Sequence, residues 1–182
     1  MRYTIALATA IAGTMLTGCA PTVSIHPLYT SQDLSSDLPL EGTWMEEDGG
    51  TWQVEKSGDG YVAIVLHKGD SAGTEAYSVH ELRLQGRYFL DISSKSDPDL
   101  AVPGHLFAKV ALEGDELAVN LMEDDWLKKM AQAGAAPQFI GGDPEGQIIL
   151  TAPSGELQRF ILANADNAEA WDGDTGRLHR VR

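Results

Sequence analysis

The sequence predicts a mainly β protein, organised as an antiparallel closed or nearly closed β-barrel with two short helices. From Leu40 onward, short runs of alternating apolar and polar residues are separated by glycine-containing turns. This is the pattern of antiparallel strands, and roughly eight or nine such runs can be counted. A single sheet of that length tends to close, because closure removes exposed strand edges. A two-sheet β-sandwich with helices is the alternative.

The first strands are predicted from their alternation and their turns. The first strand begins at Gly42, and in the second Trp52 and Val54 share one face while the residues beside them are polar. That alternation suits a strand with one buried face. A turn at Ser57-Gly58-Asp59-Gly60 leads into Tyr61–His67, where glycine supplies positive φ at little cost. The last run is apolar on both faces, which predicts a strand covered on both sides.

The segment Glu75–Leu84 changes phase partway along. Its first apolar residues, ending at Val79, have one parity, whereas the later ones, beginning at Leu82, have the other. We interpret the change as a β-bulge or bend near His80-Glu81.

The clearest local pattern is a hairpin that turns at Glu113-Gly114-Asp115. Alternation assigns one inward face to both of its strands. The predicted inward residues are Leu106, Ala108, Val110, Leu112, Leu117, Val119 and Leu121.

Two segments have helical spacing. Glu123–Gly134 begins with acidic residues and carries lysines later, an arrangement that suits the helix dipole. A second helix is predicted to begin near Pro153-Ser154, with Leu157 and Ile161 on its apolar side. The helices are expected on the outside of the barrel or across its mouth, and Arg177–Arg182 is the predicted closing strand.

Residues 1–19 have the pattern of an export signal. Arg2 supplies a positive charge and Tyr3–Met15 is almost entirely apolar or small, a run too short to span a bilayer comfortably as a helix of about 20 residues. Leu16-Thr17-Gly18-Cys19 resembles the lipobox of bacterial lipoproteins. The resemblance implies that the Cys19 thiol receives a diacylglyceryl group and that the chain is cut before Cys19. It also implies acylation of the new amino terminus by a fatty acid such as palmitate.

This resemblance divides the chain into a signal peptide (1–18), a lipidated tether (19–39) and a β-barrel domain (40–182). The tether contains three prolines and little periodicity. Within it, Ile25-His26-Pro27-Leu28-Tyr29 is unusually apolar for a free linker. We favour docking of Leu28 and Tyr29 onto the domain, and a partner-binding segment is the alternative.

The charge and the single cysteine exclude several classes of function. The chain has 13 basic and 27 acidic side chains and a formal net charge of −14. Nucleic acid is therefore excluded as a partner, because binding to phosphates needs a basic face. Once Cys19 is modified, no thiol remains for a disulfide or a cysteine-ligated metal. The fatty chains must then supply the membrane affinity.

Leu40-Glu41-Gly42-Thr43-Trp44 resembles the Gly-X-Trp motif that opens lipocalin-like barrels. The resemblance implies that Trp44 closes the base of the barrel against an arginine of a late strand, either Arg177 or Arg180. The two predicted helices among the later strands depart from the lipocalin pattern, which leaves the strand order open.

The mature chain also resembles a group of uncharacterised bacterial lipoproteins. The similarity extends over most of the chain and implies no particular activity. Its matching stretches are Ile25–Thr30, Gly42-Thr43-Trp44, Trp126-Leu127, Leu150–Pro153 and Glu156–Phe160.

No catalytic residue, metal site or other cofactor is predicted. The five histidines are dispersed and form no close pair, so we interpret them as surface or rim residues. They are His26, His67, His80, His105 and His179.

A set of aromatic residues is the candidate ligand-binding site. Inside a barrel these side chains can line a cavity for an apolar ligand, and packing in the core is the alternative. The set comprises Trp44, Trp52, Tyr61, Tyr77 and Tyr88.

Together these observations predict a non-enzymatic lipoprotein, anchored to a membrane of the cell envelope through its N-terminal lipid. It is expected to bind a small apolar ligand or to serve as an accessory subunit for an envelope protein. A membrane-tethered hydrolase that uses carboxylates is the alternative. Because Ala20 follows Cys19, the resemblance to lipoproteins of two-membrane bacteria implies the periplasmic face of the outer membrane.

Overall fold

The computed structural model describes residues 22–47, 49–66, 74–94, 104–141, 147–171 and 176–181. The predicted signal peptide, Cys19 and His67 lie outside these ranges. Cleavage and lipidation therefore stay predictions.

Eleven strands and two α-helices follow one another in the described ranges. In chain order they are β1 (Val23–Ser24), β2 (Gly42–Glu46), β3 (Thr51–Ser57), β4 (Gly60–Leu66), β5 (Thr74–Leu84), β6 (Arg87–Ser94), β7 (His105–Glu113), β8 (Glu116–Leu121), α1 (Asp124–Gln132), β9 (Phe139–Gly141), β10 (Ile148–Leu150), α2 (Ser154–Ala163) and β11 (Arg177–Arg180). A short 3-10 helix, Ala168–Ala170, follows α2.

Strands β2 to β8 and β11 form a closed eight-stranded antiparallel barrel. The predicted closing strand β11 pairs with β2 on one side and with β8 on the other, and β6 pairs with β7. Strands β1, β10 and β9 extend the sheet outward from β7. The predicted barrel with two helices is confirmed, and the sandwich alternative is wrong because the sheet closes on itself.

The hairpin predicted around Glu113-Gly114-Asp115 is confirmed. Strands β7 and β8 pair with Val110 opposite Val119 and Leu112 opposite Leu117. The inward residues predicted from alternation all belong to the apolar cluster inside the barrel.

The predicted bulge near His80-Glu81 is wrong. Strand β5 pairs with β6 in one unbroken register from Tyr77 to Leu84. The change of phase has another cause: the first part of β5 buries its inner face in the barrel, and the later part also buries its outer face. Val79 packs into the barrel interior, whereas Leu82 belongs to a second apolar cluster on the outer face.

This second cluster explains where the helices lie. Buried residues of α1 and α2, such as Leu127 and Leu157, pack with the outward side chains of β5, β6 and β7. The apolar side of α2 predicted from Leu157 and Ile161 is buried as expected. Both helices thus pack on the outside of the barrel. No helix in the described ranges is long and apolar enough to cross a membrane.

The base of the barrel is closed by Trp44, which is fully buried. Its Nε1 donates to the carbonyl of Leu40 at 2.7 Å, and the guanidinium of Arg180 lies 4.3 Å from the centroid of its ring. The arginine expected from the Gly-X-Trp motif is therefore Arg180. Arg177 instead forms an ion pair with Glu116 at 2.6 Å.

Residues 22–39 are packed against the barrel rather than forming a free tether. Leu28 is fully buried, which confirms its predicted docking, and its N–H donates to Asp91 Oδ2 at 2.7 Å. Further along, the N–H groups of Asp37 and Leu38 donate to the buried carboxylate of Glu81. The segment is ordered because two buried carboxylates and an apolar anchor fix it.

Candidate ligand-binding cavity

A cavity of about 200 Å³ lies inside the barrel at the end where β2 and β8 finish and β11 begins. We call this end of the barrel the cavity end and the end closed by Trp44 the base. Most of the described lining residues are apolar, and Glu46 is the one charged residue among them. They are Glu46, Trp52, Val65, Tyr77, Ile92, Leu106, Val119, Leu121, Gly176 and Leu178.

A smaller void of about 30 Å³ lies deeper in the barrel, toward the base. Trp44 and Leu40 line it from the base side. Trp52, Ile92, Val119 and Leu178 line both the void and the cavity, so the two spaces are adjacent.

Alternation along β2 directs the side chain of Glu46 into the barrel. Glu46 pairs with Leu178 in the barrel ladder, and it has the same parity as the inward-facing Trp44. Trp52 Nε1 donates to Glu46 Oε1 at 2.7 Å. The other carboxylate oxygen of Glu46 has no hydrogen-bond partner within the described residues, which leaves it available to a ligand.

Tyr77 adds a neutral hydroxyl to the cavity lining. Burial raises the pKa of Tyr77 to about 12, and the hydrogen bond that its hydroxyl donates to Glu75 adds to the shift. The phenol therefore stays protonated at neutral pH.

The predicted aromatic set is divided among several places. Trp52 and Tyr77 meet at the cavity, and Trp44 lines only the deeper void. Tyr61 is buried in the core of the barrel. Tyr88 lies toward the base, where its hydroxyl donates to Asp37 at 3.3 Å. Ligand binding by these residues stays a prediction.

A second concave site, a cleft of about 290 Å³, lies outside the barrel between β1, β7 and the start of α1. Asp91, fully buried on the outer face of β6, accepts the Leu28 N–H and lies 2.6 Å from Nδ1 of His105. His105 lines the cleft, and its Nε2 has no hydrogen-bond partner in the described part of the chain. Interpreting His105 as a surface or rim residue was wrong, because only 9% of it is exposed.

This pair can position a proton acceptor or donor, because Asp91 fixes the orientation of the ring. Ser24 lies opposite His105 in the sheet, but its hydroxyl already donates to the carbonyl of His26 at 2.7 Å. Within the described residues, no group of three or more histidine, cysteine, aspartate or glutamate residues could hold a metal ion.

Sequence reasoning missed Glu46, Asp91 and the role of His105. A usable signal existed for each carboxylate. Glu46 shares the inward parity of Trp44, and Asp91 stands between apolar neighbours in the middle of a strand.

No protein-family model matches this chain, and the comparisons with curated proteins and with solved structures found no match either.

Proposed function

We propose that this protein is a lipid-anchored lipoprotein of the cell envelope whose barrel binds a small apolar ligand. The observation that carries the proposal is the cavity at one end of the barrel, with apolar walls, an indole and a single charged lining residue among those described. An apolar ligand is stabilised there because it removes apolar surface from water. At about 200 Å³, the cavity is smaller than the roughly 300–1,000 Å³ of drug-sized sites. It suits a small ligand or one end of a longer one.

The position of the amino terminus connects the cavity with the proposed anchor. Residues 20 and 21 alone separate Cys19 from Thr22, whose N–H donates to Asp124 at 2.7 Å. Three residues reach at most about 11 Å. Thr22 lies at the cavity end, because Leu106 and Leu121 line both the cavity and the cleft beside Thr22. A lipid on Cys19 would therefore keep the cavity end close to the membrane.

Ligand binding can be tested with the neutral apolar dye N-phenyl-1-naphthylamine. The chain from residue 20 onward, which contains every described residue, is expected to bind the dye and raise its fluorescence. Leu106→Trp adds bulk to the cavity wall and should abolish the increase. Gln53→Trp places the same side chain on the exposed outer face and should preserve it. Equal dye binding by wild type and Leu106→Trp would contradict the proposal, provided that both variants unfold at similar temperatures.

The anchor is tested by Cys19→Ser in cells. The wild-type protein, lipidated at Cys19, is expected in the outer-membrane fraction. The variant cannot receive the diacylglyceryl group, so it should be released or left unprocessed. A variant that stays bound and is cut as before would refute the anchoring part of the proposal.

A membrane-tethered hydrolase is the second candidate. The pair of His105 and Asp91 favours a hydrolase that uses this histidine over one that uses carboxylates alone. In that case the wild-type protein would hydrolyse 4-nitrophenyl acetate, and His105→Gln would abolish this hydrolysis without affecting dye binding in the barrel. If the wild-type protein hydrolyses the ester no faster than buffer alone, this candidate is eliminated.

A further inference from the structure

We infer that the cavity selects apolar amines and discriminates against fatty acids. The inference rests on the proposed function and specifies its ligand class. Its basis is the chemistry of the polar groups that meet the apolar walls.

The first observation is the state of Glu46. One of its carboxylate oxygens is held by the indole of Trp52 at 2.7 Å, which fixes the side chain on the cavity wall. The second oxygen has no hydrogen-bond partner within the described residues. This oxygen can accept a further hydrogen bond from a ligand in the cavity. An ammonium group supplies a donor, and charge-assisted hydrogen bonds of this kind are stronger than neutral ones.

The second observation is the sign of the charge around the cavity. Glu46 carries the one charge among the described lining residues, and no lysine or arginine belongs to that lining. The carboxylate of a fatty acid would meet a like charge there with no cation beside it, and like charges repel.

A substitution can separate a recognition role for Glu46 from a purely structural one. If Glu46 served only as the acceptor for Trp52, an amide oxygen would replace it without consequence for ligand preference. Glu46→Gln keeps that acceptor and removes the charge, so it isolates the effect of the charge on the ligand.

The test is displacement of N-phenyl-1-naphthylamine from the chain starting at residue 20 by n-octylamine, n-octanol and octanoate at pH 7. These ligands share one apolar chain and differ in their head group. We expect the amine to bind most tightly and octanoate most weakly. Glu46→Gln should weaken octylamine binding about tenfold, in line with the loss of a hydrogen bond to a charged group. Octanol should change by less than about threefold.

Glu55→Gln is the matched control, because it removes the same charge from the exposed face of β3. This variant should bind all three compounds like wild type. Octanoate binding as tightly as octylamine, or an amine preference that survives Glu46→Gln, would overturn the inference while ligand binding itself stands. Absence of binding by the dye and by all three compounds would overturn both this inference and the proposed function.

Discussion

The Asp91→Ala variant is expected to lose about 2–4 kcal/mol of unfolding free energy, because removing a buried carboxylate leaves two buried groups without their hydrogen-bond partner. The carboxylate is fully buried and accepts the Leu28 N–H at 2.7 Å while lying 2.6 Å from His105 Nδ1. Its removal leaves a buried backbone N–H and a mostly buried imidazole without their partner. Urea unfolding followed by tryptophan fluorescence measures the change.

Two controls separate this effect from a general sensitivity to mutation. Asp91→Asn keeps an acceptor for Leu28 and should lose less, about 1–2 kcal/mol. Glu55→Ala removes a carboxylate from the exposed face of β3 and should change stability by less than about 0.5 kcal/mol. If Asp91→Ala and Glu55→Ala unfold at the same urea concentration, the Asp91 carboxylate does not hold the N-terminal segment in place.

The second large effect is expected from Trp44→Ala at the base of the barrel. Truncation of a fully buried tryptophan to alanine typically costs about 3–5 kcal/mol, because it removes apolar contacts and leaves a cavity. The variant also loses the bond to the Leu40 carbonyl and the contact with Arg180. Thermal and urea unfolding should both show the loss.

Two milder variants check this explanation. Trp44→Phe keeps a ring beside Arg180 and should lose only about 1–2 kcal/mol. Arg180→Met removes the cation–π contact and the bonds that Arg180 donates to the carbonyls of Glu41 and Pro39, so a similar loss is expected. A Trp44→Ala protein as stable as Trp44→Phe would show that the base does not depend on the buried indole.

Most of the barrel could be predicted from the sequence because alternation is a local property. Neighbouring residues alone were enough to predict that Trp52 and Val54 share one face of their strand. The same is true of the hairpin that contains Leu106 and Leu121. Strand β5 was misinterpreted because its apolar residues face two different cores. Whether Leu82 is covered from outside depends on helices and an N-terminal segment that are far away in the sequence.

The candidate site was predictable only in part, for the same reason. The aromatic residues were recognisable as a type, but their division between cavity and core depends on the closed barrel. Glu46 and Trp52 are joined across a strand pair, and Asp91 and His105 across another. Neither partnership has a signature in residue spacing. Their detection required the register of the strands.

The N-terminal segment also determines how the fold would respond to mechanical load. It starts beside the cavity end at Thr22 and reaches the base at Leu38, so it runs lengthwise along the outside of the barrel. A pulling force applied through the amino terminus would first strain the Thr22 contact with Asp124 and the pairing of β1, and then the contacts at Asp91 and Glu81. The closed eight-stranded barrel would bear tension only after residues 22–39 had detached from it.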